Sequence, residues 1–189
     1  MRKKVKDAGR PLKSEKEALT ILADVCSRGE HCSSEMLRKM DAWQLPEDMQ
    51  ARIMEYLVEH KFVDDERYTY AFVKDKILSN KWGRKKIQQA LWMKKIPDSI
   101  QKEVLGRVKE SAYLNTLKPL LESKAKSLAD ETGYNRRCKL MRFAISRGFD
   151  MDLIKQCIKD IEKVDDLDDI EVEDENLEIG ADETETFEA

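Results

Sequence analysis

The chain has 189 residues, of which 39% are charged, 41% hydrophobic and 7% aromatic, enough for one ordinary domain or a string of small repeats but not for a strongly apolar core. No apolar run approaches the roughly 20 residues of a membrane helix, so a soluble protein without membrane contact is expected. The net charge of −3 hides a split: from Val164 onward there are 13 acidic and no basic residues, leaving 25 acidic against 35 basic residues in the body.

Residues 1–13 read as a basic, flexible N-terminus carrying Arg2, Lys3, Lys4, Lys6, Arg10 and Lys13. No apolar block or small-residue cleavage site follows them, so export is not expected. The first helix signal is Ser14-Glu15-Lys16-Glu17, a capping box in which serine and glutamate each satisfy a free backbone donor. That helix should run to about Arg28, where Gly29 can stop it.

Further along, the sequence repeats. Aligning residues 51 and then 53 apart gives the columns Met36, Ile87, Leu140; Met40, Leu91, Ala144; Leu45, Ile96, Phe149; Met49, Ile100, Leu153; Ile53, Val104, Cys157; and Leu57, Val108, Ile161. Within each copy the apolar residues form one helical face, a short break and a second helical face. Leu45-Pro46 and Ile96-Pro97 make the first two breaks with a proline in the first turn of the next helix, and Gly148 makes the third. Upstream of each pair lies another helical stretch, at about 15–28, 65–80 and 118–129.

The sequence therefore predicts an all-α protein of three tandem three-helix repeats at residues 14–60, 61–112 and 113–163. Units of this size have too little core to stand alone, so stacking into an elongated curved rod is expected. Residues 164–189, acidic and without apolar periodicity, read as a disordered tail.

Most catalytic chemistries lack their parts. The seven glycines are too scattered for a phosphate-binding loop, and only His31 and His60 offer imidazole. Cys26, His31 and Cys32 lie close in sequence but lack further ligands, so no metal and no cofactor are expected. Four cysteines without a CxxC pair suit reduced thiols in the cytoplasm. Asp64-Asp65-Glu66 is the one compact carboxylate cluster of the body. A nuclease would use it to hold magnesium, but its place before the helical run from Arg67 favours capping.

The strongest electrostatic signal is in the second repeat, Lys81-Trp82-Gly83-Arg84-Lys85-Lys86 and then Lys94-Lys95. At about 100° per residue, Lys85, Gln89 and Trp92 fall opposite the face that Ile87 and Leu91 bury. Cations interleaved with aromatic and amide groups suit phosphate contacts and base stacking. Lys81, Trp82, Arg84, Lys85, Lys86, Gln89, Trp92, Lys94 and Lys95 are the candidate residues for DNA or filament binding.

Two strings carry a resemblance. Phe62-Val63-Asp64-Asp65-Glu66-Arg67-Tyr68-Thr69-Tyr70-Ala71-Phe72-Val73, followed by Trp82-Gly83-Arg84-Lys85-Lys86-Ile87-Gln88-Gln89-Ala90-Leu91, resembles the RecX family of regulatory proteins. The resemblance rests on Asp64, Asp65, Arg67 and Tyr68, on Gly83, Ile87 and Leu91, and on Arg147, Gly148 and Phe149, residues read as structural rather than catalytic. It covers about Ser14 to Lys163. Departures are Cys32 where the first repeat usually has serine, Gln44 and Lys95 where glycine often precedes the apolar residue between helices, and the acidic tail.

The resemblance implies a cytoplasmic protein, with no catalytic residue of its own, that binds the filament of the RecA recombinase on DNA. Its implied action is to modulate, most often inhibit, the ATPase and strand exchange of that filament in recombination and repair. The expected partners are the RecA filament and, through repeat two, single- and double-stranded DNA, with the protein itself a monomer. The alternative is a helix–turn–helix DNA-binding regulator that acts without RecA.

Overall fold

The structure is a computed structural model that describes residues 13–163 apart from residue 132. The basic stretch before Lys13 and the acidic tail 164–189 lie outside the described residues. Among the described residues the chain is all-α, with no strand. Its helices are α1 (Glu15–Arg28), α2 (Ser33–Ala42), α3 (Glu47–Glu59), α4 (Asp65–Leu78), α5 (Arg84–Met93), α6 (Asp98–Gly106), α7 (Glu110–Lys126), α8 (Gly133–Ser146) and α9 (Met151–Glu162).

Local chemistry explains the helix ends. Ser14 and Glu17 form the capping box: Ser14 Oγ accepts from the Glu17 N–H and Glu17 Oε2 accepts from the Ser14 N–H at 2.9 Å. Gln44, Lys95 and Gly148 hold the same left-handed turn between the last two helices of each repeat, with φ of 55°, 56° and 80°. The two departures from glycine therefore leave the turn intact, each at a cost of about 1 kcal/mol for a side chain in that region. A second device repeats as well. Gln50 and Gln101 each donate from Nε2 to the carbonyl of the apolar residue between the helices, Leu45 at 2.9 Å and Ile96 at 2.8 Å.

One helix differs from expectation. The stretch placed at about 118 begins at Glu110, so a repeat boundary after residue 112 falls inside α7. Pro119 sits within the helix. Pro119 and Asn115, whose carbonyl loses its donor, are both on the exposed side, where water can replace the bond. Tyr113, Leu117, Leu121 and Ala125 are buried at helical spacing on the other side and hold α7 together through the proline.

The chain divides into two compact units, and the middle repeat is divided between them. The first comprises residues up to Ala71 with Trp92–Gln101, and the second comprises Phe72–Leu91 with the chain from Lys102. In the first unit α3 packs on α1 and α2 over a core of Ala18, Leu22, Met36, Met40, Leu45, Ile53, Leu57 and Val63. Arg52 of α3 also reaches Glu15 of α1 at 2.8 Å. In the second unit α7, α8 and α9 pack pairwise, burying among others Leu117, Leu121, Leu140, Met141, Ala144, Phe149 and Ile154.

Candidate nucleic-acid interface

In the second unit, the start of α5 is fixed by backbone contact with the turn before α9. The Gly83 N–H donates to the Arg147 carbonyl at 2.8 Å and the Lys85 N–H donates to the Gly148 carbonyl at 2.9 Å. A Cβ on Gly83 would lie 2.3 Å from the Gly148 carbonyl and the Phe149 nitrogen, and one on Gly148 would lie 2.3 Å from the Lys86 nitrogen. Both glycines are thus required by backbone-to-backbone approach. Phe149 closes the turn from inside, fully packed at 2% exposure.

That clasp presents three cations in one helical turn. Arg84, Lys85 and Lys86 open α5 with no acidic residue among them, at the end where the helix dipole already favours anions. Arg84 and Lys85 are exposed, as are Lys81 and Gln89. Lys86 is half-buried because its ammonium lies over the Trp82 ring at 4.8 Å, with Lys76 over the same ring at 5.3 Å. Trp82 is therefore itself half-buried among lysine stems.

The remaining candidates belong to the first unit. Trp92 is 70% exposed beside Met93 at 68%, and Lys95 is exposed in its left-handed turn. Lys94 is different. Its ammonium donates to Glu35 Oε1 at 2.6 Å and lies 5.7 Å from the centre of the Tyr68 ring, so it is committed inward and leaves the candidate surface.

The aspartate, arginine and aromatic motif is at this inward site too. Asp64 Oδ1 accepts from the Glu66 and Arg67 N–H groups at 3.1 and 3.0 Å, capping α4. Asp65 Oδ1 accepts at 2.8 Å from the Ser33 N–H, the first free donor of α2. Cys32, at the N-cap of α2, makes no side-chain cap, so Asp65 supplies the acceptor from another helix. The two carboxylates serve different helix starts instead of converging on one ion. Arg67 bonds Glu30 at 2.7 Å and the Lys61 carbonyl at 3.1 Å.

Tyr68 donates its hydroxyl to Glu35 Oε1 at 3.3 Å, and His31 Nδ1 lies 2.9 Å from Glu35 Oε2. Burial works to raise the Glu35 carboxyl, but hydrogen bonds from Lys94 and His31 outweigh it and hold the group below the ordinary carboxylate value. Burial, reinforced by that carboxylate, pushes the Tyr68 phenol well above its usual range. Glu35 is the residue that sequence reading missed: a charged position in the first turn of α2 gives no sign that it gathers a lysine 59 positions away.

Among the described residues, no group of three or more His, Cys, Asp or Glu side chains is placed to hold a metal ion. Nor is any helix there long and apolar enough to cross a membrane.

Among the described residues, the helices and clasped motifs define an all-α protein built of three-helix units. Residues 64–105 match the family model described as RecX, second three-helix domain, and residues 111–158 match RecX, third three-helix domain. The regulatory protein RecX of Clostridium botulinum strain Eklund 17B is 33% identical over 119 residues, covering 60% of this chain and 54% of that protein. The regulatory protein RecX of Chlorobium limicola is 26% identical over 145 residues, covering 77% of this chain and 89% of that one. The chain spans about half the length of the clostridial relatives it matches. The crystal structure of RecX from Lactobacillus salivarius superposes with a TM-score of 0.74 at 19% identity, over 79% of this chain and 97% of that chain, and so shares the fold. Residues 64–105 and 111–158 are thus two tandem domains of the RecX family.

Proposed function

We propose that the chain regulates recombination and repair by binding the RecA filament on DNA and inhibiting its ATPase and strand exchange. The observation that carries the DNA half of this reading is the first turn of α5. Arg84 and Lys85 stand exposed at a positive helix end, with no acid in the turn and no ion pair among the described residues. Such an arrangement repels itself until an anion arrives, and a row of phosphates satisfies both side chains and helix end. In the first unit, taken by itself, exposed Trp92 offers a ring on which an unpaired base can stack. The RecX-family domains at residues 64–105 and 111–158 support the RecA half.

The chain acts here by occupancy, and its cations supply attraction and on-rate. The test is co-sedimentation with RecA filaments on single-stranded DNA, alongside bare DNA and free RecA. The chain should sediment with filaments at lower concentration than with bare DNA, and the Arg84→Glu, Lys85→Glu double variant should need at least about tenfold more protein, as two reversed phosphate contacts imply. Equal binding to filament and bare DNA, or a preference for particular duplex sequences, would favour a DNA-binding regulator independent of RecA.

A further inference from the structure

We propose that a groove on α7 in the second unit is the docking site of the chain's own acidic segment, residues 166–179. Leu78 and Lys81, at the end of α4 and just beyond it, face Ala112, Asn115, Pro119 and Leu120 of α7 across a groove of about 480 Å³. Its apolar floor lies open: Leu78 is 55% exposed and Pro119 is exposed. Its rim is cationic. Lys81 lines it and Lys74 lies one turn before Leu78 on the same face of α4; both are exposed and without an ion pair among the described residues. An apolar floor with a basic rim matches a segment in which aliphatic side chains alternate with acids. Residues 166–179 are such a segment, with Leu167, Ile170, Val172, Leu177 and Ile179 set among aspartates and glutamates.

The tether is in reach. Helix α9 packs on α7. Lys163 ends it in a left-handed turn with φ of 53°, about 9 Å past Cys157. The seven residues from Lys163 to Ile170 span up to about 25 Å, which brings the aliphatic residues from Ile170 onward within reach of the helix on which α9 packs. Seating the segment would cover apolar surface and neutralise Lys81 in one step.

The test uses the full chain with a nitroxide on Glu171→Cys and reads backbone amide intensities by NMR, with the label-treated chain lacking that substitution as control. Selective loss at Ala112, Asn115 and Leu120 is expected. Leu78→Glu, at an exposed site, and Leu167→Ser with Ile170→Ser, which leave the acids in place, should each restore the intensities. Loss confined to Arg84–Lys86, uniform loss or no loss would overturn the proposal. So would groove signals lost only when spin-labelled chains are mixed with isotope-labelled ones, which would make the occupant a second copy.

Discussion

Gly83 and Gly148 meet backbone to backbone: a Cβ on Gly83 would stand 2.3 Å from the carbonyl carbon and oxygen of Gly148. The contact joins the glycine motif of the second repeat to that of the third, and it aims the first turn of α5 outward. Main-chain atoms on both sides cannot yield as a flexible side chain would. Gly83→Ala and Gly148→Ala should each destabilise the protein by about 2–4 kcal/mol, the Gly148 variant carrying the additional strain of a side chain at φ of 80°. Urea unfolding checks this. Because both variants force apart the same pair of strands of chain, the double variant should lose less than the sum.

Much of this fold is legible in the sequence. In the repeat columns, Met36, Ile87 and Leu140 are fully buried, as are Met40, Leu91 and Ala144, and Leu45, Ile96 and Phe149 are within a few per cent of it. Period and apolar character suffice there, because each helix needs one buried face. Trp92 was placed outward by the same arithmetic and is 70% exposed. The inward turn of Lys94 was not legible, since its partner Glu35 lies far away in sequence and no local rule joins them. The start of α7 at Glu110 differs from the stretch read at about 118, because the burial of Tyr113 and Leu117 that carries the helix there depends on tertiary packing. The meeting of Gly83 with Gly148 is likewise a fact of three dimensions: each glycine is visible as a motif, their contact is not.

Glu35 gives the fold an acid-sensitive point. Its folded carboxyl is held below the ordinary value, so it contributes stability that is present above the unfolded value of about 4.3 and is lost as pH falls through the lower folded value. Glu35→Gln should cost about 1.5–3 kcal/mol at neutral pH, the range for hydrogen bonds to a charged group. Unfolding midpoints measured from pH 7 to 3 should also fall less steeply in acid for Glu35→Gln than for the unaltered chain.

The exposed and inward cations separate cleanly by experiment. Arg84→Ala and Lys85→Ala should weaken DNA binding about equally across sequences, and each should lower the salt slope by about 1. Lys94→Ala should leave that slope unchanged and lower stability, since it deprives the Glu35 carboxylate of its closest partner. Trp92→Ala should cost about 1–3 kcal/mol of single-strand affinity. Its effect on stability should stay within about 0.5 kcal/mol, as expected of a side chain so exposed. Fluorescence anisotropy over a salt series, paired with urea unfolding of each variant, reads both quantities.

The most direct test of the regulatory role is the steady-state ATPase rate of the host's RecA on single-stranded DNA as this protein is added, with a parallel series lacking RecA. The expected result is a fall in rate at amounts well below those that coat the DNA, and a weaker fall with the Arg84→Glu, Lys85→Glu variant. An unchanged rate at saturating amounts would contradict filament inhibition.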